Sequence, residues 1–146
     1  MLITQKQFAV DSPLERVWGL LPRVVHQCLP LEKMDIIDEQ TFNADLRWDL
    51  AFISLKLHIK GKFVDISPPS HLRCVLSVDR ALLHLKIGVA FTLKPIDADK
   101  TEVLCAATSE GSEKKRLLDW ALAGQQRQFA GNIFDSIRRR LVELCE

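Results

Sequence analysis

A chain of 146 residues, 47% hydrophobic and 27% charged, can bury a core without metal or disulfide staples. Its formal net charge of +1 excludes any global electrostatic case for a polyanionic partner such as nucleic acid. Its most apolar stretch, Ala81 to Leu93, is interrupted by His84 and Lys86 and is too short and polar to span a bilayer, and the N-terminal residues lack the build of a signal peptide.

Leu2 to Val10 reads as a first strand with Phe8 and Val10 on one face. Ser12-Pro13-Leu14-Glu15 is a helix start, with Ser12 as the capping side chain, Pro13 at the first helical position and Glu15 closing a capping box. Leu14, Val17, Trp18 and Leu21 follow at i, i+3, i+4 and i+7, an amphipathic spacing. Pro22 is expected to end this helix and open a second, which Leu29-Pro30 closes. Two brief helices then form a bent cover.

Phe42, Ala44, Leu46, Trp48 and Leu50 alternate with Asn43, Asp45, Arg47 and Asp49, which is a strand with one buried and one wet face. The next apolar set, Ile53, Leu55, Leu57 and Ile59, is out of phase by one residue. A turn near Ala51-Phe52 joining two antiparallel strands restores the faces. Pro68-Pro69 breaks the following connection. Leu72, Cys74, Leu76 and Val78 form one strand, and Leu83, Leu85, Ile87, Val89, Phe91 and Leu93 a longer one. Asp97 to Lys100 is a turn and Thr101 to Thr108 a last strand. Sequential hairpins of this kind build an antiparallel sheet.

From about Ser112 the strand pattern gives way to a helix with Leu118, Leu122, Phe129, Ile133, Ile137 and Leu144 along one side. At 1.5 Å per residue it would be roughly 45 Å long. Such a stripe needs a long apolar surface, which the inner face of a curved sheet supplies. Arg140 falls close to the stripe, so that end is expected to be incompletely buried. The elements together predict an α+β chain, a single domain over residues 1–146 with a curved antiparallel sheet around a long C-terminal helix.

Cys28, Cys74, Cys105 and Cys145 match neither a zinc signature nor a CxxC pair and read as free thiols in a reducing cytoplasm. His26, His58, His71 and His84 are not spaced with carboxylates or cysteines as a metal site requires, and no cofactor is called for. His26 and Cys28, two apart, do not face together on a helix. Asp45 and Asp49 fall on the wet face of their strand, away from any paired-acid arrangement. Glu113 to Arg116 and Arg138 to Arg140 make the last helix basic at both ends, as a solvated face or a weak contact with anionic lipid or an acidic partner. Trp48, Leu72, Leu76, Leu85, Ile87, Phe91, Leu122 and Phe129 lie on inward faces, where they line a cavity or fill a core. Gln126 sits among them within the helical stripe. A buried amide without a partner costs about 1–3 kcal/mol, so it should meet a polar group, a water or a ligand.

The order of elements resembles the START-like helix-grip superfamily, and the details resemble the G-subunit family of carbon monoxide dehydrogenase within it. Carrying residues are Phe8-Ala9-Val10, Pro13, Val17-Trp18, Cys28-Leu29-Pro30, His58-Ile59-Lys60-Gly61-Lys62-Phe63, Pro68-Pro69 and the strand Val89 to Pro95. Leu31 stands where that family has a glycine, Ala51-Phe52 replaces a glycine turn, and Glu113-Lys114-Lys115-Arg116 replaces a glycine-containing start of the final helix. These loops border the pocket mouth in the superfamily, so ligand identity does not carry over. The resemblance implies a cavity between sheet and helix for a lipid, quinone or isoprenoid, and an accessory role beside a redox enzyme. Two other readings stay open: an interaction protein with a filled core, and a cavity-based hydrolase or cyclase.

Overall fold

A computed structural model describes residues 2–29, 31–49, 54–80, 83–110 and 123–145, with the side chains at 48, 49, 55, 79, 80, 83, 84 and 123–125 outside the description. The elements are β1 (Leu2–Val10), α1 (Leu14–Cys28), β2 (Leu31–Ile36), β3 (Thr41–Asp49), β4 (Ser54–Ser67), β5 (His71–Arg80), β6 (Leu83–Asp97), β7 (Lys100–Ser109) and α2 (Ala123–Cys145). The strands form one antiparallel sheet in the order β1-β7-β6-β5-β4-β3-β2. From β2 to β7 each strand pairs with the next in sequence, as the hairpin reading requires. β3 and β4 pair out to Asp49 opposite Ser54, while the turn expected at Ala51-Phe52 lies outside the described residues.

Two sequence expectations about the first helix change, and one strand is added. The two short helices are one, Leu14–Cys28, with Pro22 inside it. Proline removes one hydrogen bond to the carbonyl four residues back. Val17, Leu21 and Val24 hold a single face across that point and are fully buried, which offsets the loss. Nor does Ser12 cap this helix. The N-cap is Pro13, in extended conformation, and its carbonyl accepts the Val17 N–H at 3.1 Å. Ser12 instead lies buried against β7, its carbonyl accepting a 2.8 Å hydrogen bond from Thr101 Oγ1. The residues after Leu29-Pro30 form the edge strand β2, which sequence reasoning missed. Its side chains are mostly exposed, so no alternation marks it. A register shift between Glu32 and Asp35 bulges this strand, and Lys33 there has φ of +50°.

Of the expected stripe of the last helix, Phe129, Ile133, Ile137 and Leu144 pack against the clusters, and Leu118 and Leu122 lie outside the described residues; the buried centre of the stripe is shifted towards Phe134 and Leu141. Phe134, Ile137, Leu141 and Cys145 are buried, and Ala130, Ile133 and Leu144 flank them. At the Arg140 end Ile137, Leu141 and Cys145 are buried while Arg138, Arg139 and Arg140 are exposed. Arg140 lies outside the stripe and donates from Nε to Gln27 Oε1 at 3.2 Å. The helix packs on α1 as well as on the sheet edge at β1. Arg16 Nη2 donates to the Leu144 carbonyl at 3.1 Å, and Lys6 of β1 pairs with Asp135.

Burial divides into two clusters. The larger gathers Phe8 and Val10 of β1, the buried face of α1, Phe91 and Leu93 of β6, Val103, Cys105 and Ala107 of β7, and the stripe of α2. The smaller joins Phe42 and Ala44 of β3, Leu57 and Ile59 of β4, Val78 and Leu85. This division positions the candidate site.

Candidate functional site

Directly opposed residues in an antiparallel pair share a face of the sheet. Leu72 stands opposite Phe91, Cys74 opposite Val89, Leu76 opposite Ile87 and Val78 opposite Leu85. Gly61 stands opposite Leu76 and Phe63 opposite Cys74. These pairs make one apolar surface running across β4, β5 and β6 on the helix-facing side. Where it meets the clusters the surface is fully packed: Phe91 meets Phe134 of α2 edge to face, ring centroids 6.3 Å apart, and Leu85 and Val78 are buried in the smaller cluster. Between them Leu72, Cys74, Leu76, Ile87 and Val89 are only half buried. Ile87 and Val89 pack towards the larger cluster, and Cys74 and Leu76 towards the smaller, so a seam between the two cores follows β5 and β6.

Of the residues singled out from sequence, Leu72, Leu76, Leu85, Ile87 and Phe91 share this face of the sheet. Leu72, Leu76 and Ile87 wall the seam. Phe129, half buried, packs from α2 onto the smaller cluster, and Gln126 lies one turn earlier, also half buried. Leu85 and Phe91 sit at the margins, inside the packed clusters. Trp48 pairs with Leu55 across β3 and β4, but its side chain, like all of Leu122, lies outside the described residues. Sequence reasoning missed Phe42, Phe63, Cys74 and Val89 as site residues. All but Phe63 were visible as inward positions in their strands, and nothing in their own spacing told wall from filler.

Gly61 explains part of the Lys-Gly-Lys motif. A Cβ there would sit 2.1 Å from Phe42 Cζ, so the missing side chain is what lets the Phe42 ring lie across β4. That ring meets Phe63 at a centroid separation of 5.9 Å. Polar groups at the seam are few. Burial pushes the Cys74 thiol up to about 11, which leaves it protonated and a poor nucleophile at neutral pH. On the opposite, convex face, His58 Nδ1 lies 2.8 Å from Asp45, whose carboxyl this hydrogen bond holds below its ordinary range, and Lys56 approaches the same carboxylate at 3.8 Å. Arg73 pairs with Glu110 over Gly88 on that face. His71 joins Thr92 at 3.1 Å and Asp65 at 3.5 Å across neighbouring strands. These are cross-strand ties on a wet surface. A shallow recess at the β6–β7 turn is lined by Asp11, Asp97, Ala98, Asp99 and Lys100. Among the described residues no three histidine, cysteine or carboxylate side chains converge as a metal site would need. No described helix is long and apolar enough to cross a membrane.

No family model matches the chain, and no curated protein matches it. Solved structures do. A conserved protein from Geobacillus kaustophilus superposes with a TM-score of 0.73 at 20% identity, covering 95% of this chain and 94% of that one. Ara h 8.0201 superposes with a TM-score of 0.59 at 11% identity over 96% and 97% of the two chains. DynU16, a protein of the dynemicin biosynthetic locus, superposes with a TM-score of 0.56 at 14% identity, and this chain covers 46% of its length. At these identities the likeness is one of fold. The chain has the helix-grip fold, a seven-stranded antiparallel sheet with a C-terminal helix across it.

Proposed function

We propose that this chain is a single-domain binder of a hydrophobic small molecule of the lipid, quinone or isoprenoid class, held between the sheet and α2. The observation that carries the reading is the seam: five apolar side chains in mid-sheet remain half buried between two fully packed clusters. An interior built only for stability would bury these side chains fully, since apolar surface left accessible forfeits transfer free energy. Leu72, Leu76, Ile87 and Phe129 are the walls in this reading and Gln126 the polar contact for a head group, with Leu85 and Phe91 at the margins; Trp48 and Leu122, expected in the lining, lie outside the described side chains. Among the described residues a protonated thiol and the proposed amide would orient a ligand and activate no water, which favours binding over hydrolysis or cyclisation. The likeness to the G-subunit family of carbon monoxide dehydrogenase, and with it service to a redox enzyme in a reducing cytoplasm, is supported by the motif residues alone; the four free thiols suit that compartment.

Native mass spectrometry of the purified protein, followed by organic extraction, tests the reading. A stoichiometric mass adduct that extraction identifies as a lipid, quinone or isoprenoid is the expected result. A clean apo mass, together with no saturable uptake of the fluorescent fatty acid cis-parinaric acid, would refute it.

A further inference from the structure

The helix-facing side of the sheet does not end at the seam. Ile36 stands opposite Phe42, and Ile66 opposite Leu72, so both share a face with inward residues. Yet Ile36 is 77% exposed and Ile66 51%. Phe42 and Phe63 lie between them with their rings in contact. The bulge between Phe63 and Asp65 inserts one extra residue and brings Ile66 onto the face of Phe63. The ladder between β3 and β4 has its last rung at Thr41 opposite Lys62, so β4 runs on past its neighbour as an open corner. α1 packs on β6, β7 and α2. The result is one apolar arc, Ile36–Phe42–Phe63–Ile66–Leu72, that begins in solvent and ends at the wall of the seam.

Scattered exposed isoleucines need no explanation, but a contiguous apolar surface that leads inward does. Its continuity with Leu72 identifies the occupant as the same molecule that fills the seam. We propose that this arc is an outer subsite for the projecting part of a long hydrocarbon chain, acyl or isoprenoid, which emerges over the β2–β3 and β4–β5 corner. The proposal rests on the reading of the seam as a ligand site. It adds a length requirement. From Leu76 to Leu72 the seam runs four residues, about 13 Å. A short chain is therefore held within the seam, and only a long one reaches Phe63 and Ile66.

Displacement of cis-parinaric acid by octanoic acid and by palmitic acid tests this, on the wild type and on Ile66→Ser and Ile36→Ser. Both replaced side chains are largely exposed, so melting temperatures should stay within a degree or two. The expected result is palmitic acid binding weakened about tenfold by Ile66→Ser, with octanoic acid unaffected. Equal weakening of both acids, or no change in either, overturns the subsite and leaves the seam standing. A wild type that binds neither acid overturns the seam and the subsite together. A concentration-dependent dimer in light scattering, abolished by the variants while palmitic acid binding is unchanged, would make the arc a contact between copies and overturn the proposal.

Discussion

Replacing Gly61 with alanine tests how the smaller cluster is built. The added methyl would lie 2.1 Å from Cζ and 2.3 Å from Cε1 of Phe42, far inside contact distance, so the ring must move. Its buried position, at 9% exposure beside Phe63, leaves outward rotation as the way to move. Rotating a phenyl ring out of a core forfeits about 1.5–3 kcal/mol of burial. Alanine in a strand returns about 0.5–1 kcal/mol relative to glycine by narrowing the unfolded ensemble. The net expectation is a loss of about 1–2 kcal/mol, a fall in melting temperature of about 2–8 °C for a chain of this size. Urea denaturation of Gly61→Ala, Phe42→Ala and the double variant separates the effects. In the Phe42→Ala background the clash is gone, so Gly61→Ala should become neutral or stabilising by about 0.5 kcal/mol. An equal loss in both backgrounds would refute the reasoning and place the cost in the backbone.

Three further predictions concern the larger cluster, the thiols and α1. Leu141→Ala, at a fully buried site of α2, should cost about 2–5 kcal/mol in urea denaturation, while Arg140→Ala next to it should cost under about 1; comparable losses would mean that the stripe is misplaced. Burial holds Cys74 up to about 11 and Cys105 up to about 12, against an ordinary value of 9.0. Above pH 9 the unfolded chain therefore releases thiol protons that the fold retains, and stability falls as pH rises towards 11–12. At pH 10 each of these two thiols should remove on the order of 1 kcal/mol, and Cys105→Ala should abolish a measurable share of that pH dependence; an unaltered alkaline slope in the variant would contradict the assignment. Pro22→Ala restores a hydrogen-bond donor at an exposed position inside α1 and should raise stability by about 1–2 kcal/mol, read as a higher melting temperature. A lower one would show that the ring itself shapes the helix.

Period-2 alternation in the sequence determined the sheet, because a strand with one buried face must place an apolar side chain at every second residue. β3 through β7 were legible for that reason, together with their hairpin order, and so was a long amphipathic helix at the end. Inward positions such as Leu72, Leu76 and Ile87 followed from the same parity. Local chemistry misled where tertiary packing overruled it. Pro22 looked like a helix end, but Val17, Leu21 and Val24 bury one face across it. Ser12 looked like a cap, but its carbonyl is held by Thr101, 89 residues away. β2 was illegible because an exposed edge strand buries too little to impose alternation. Which face of α2 turns inward was decided by α1 and β1 together, surfaces no helical wheel contains. Above all, parity says that a side chain points inward without saying how closely its neighbours approach. That Leu76 borders a seam while Leu57 lies in a packed core is a matter of distances between elements far apart in the chain, and only the assembled sheet and helices set those.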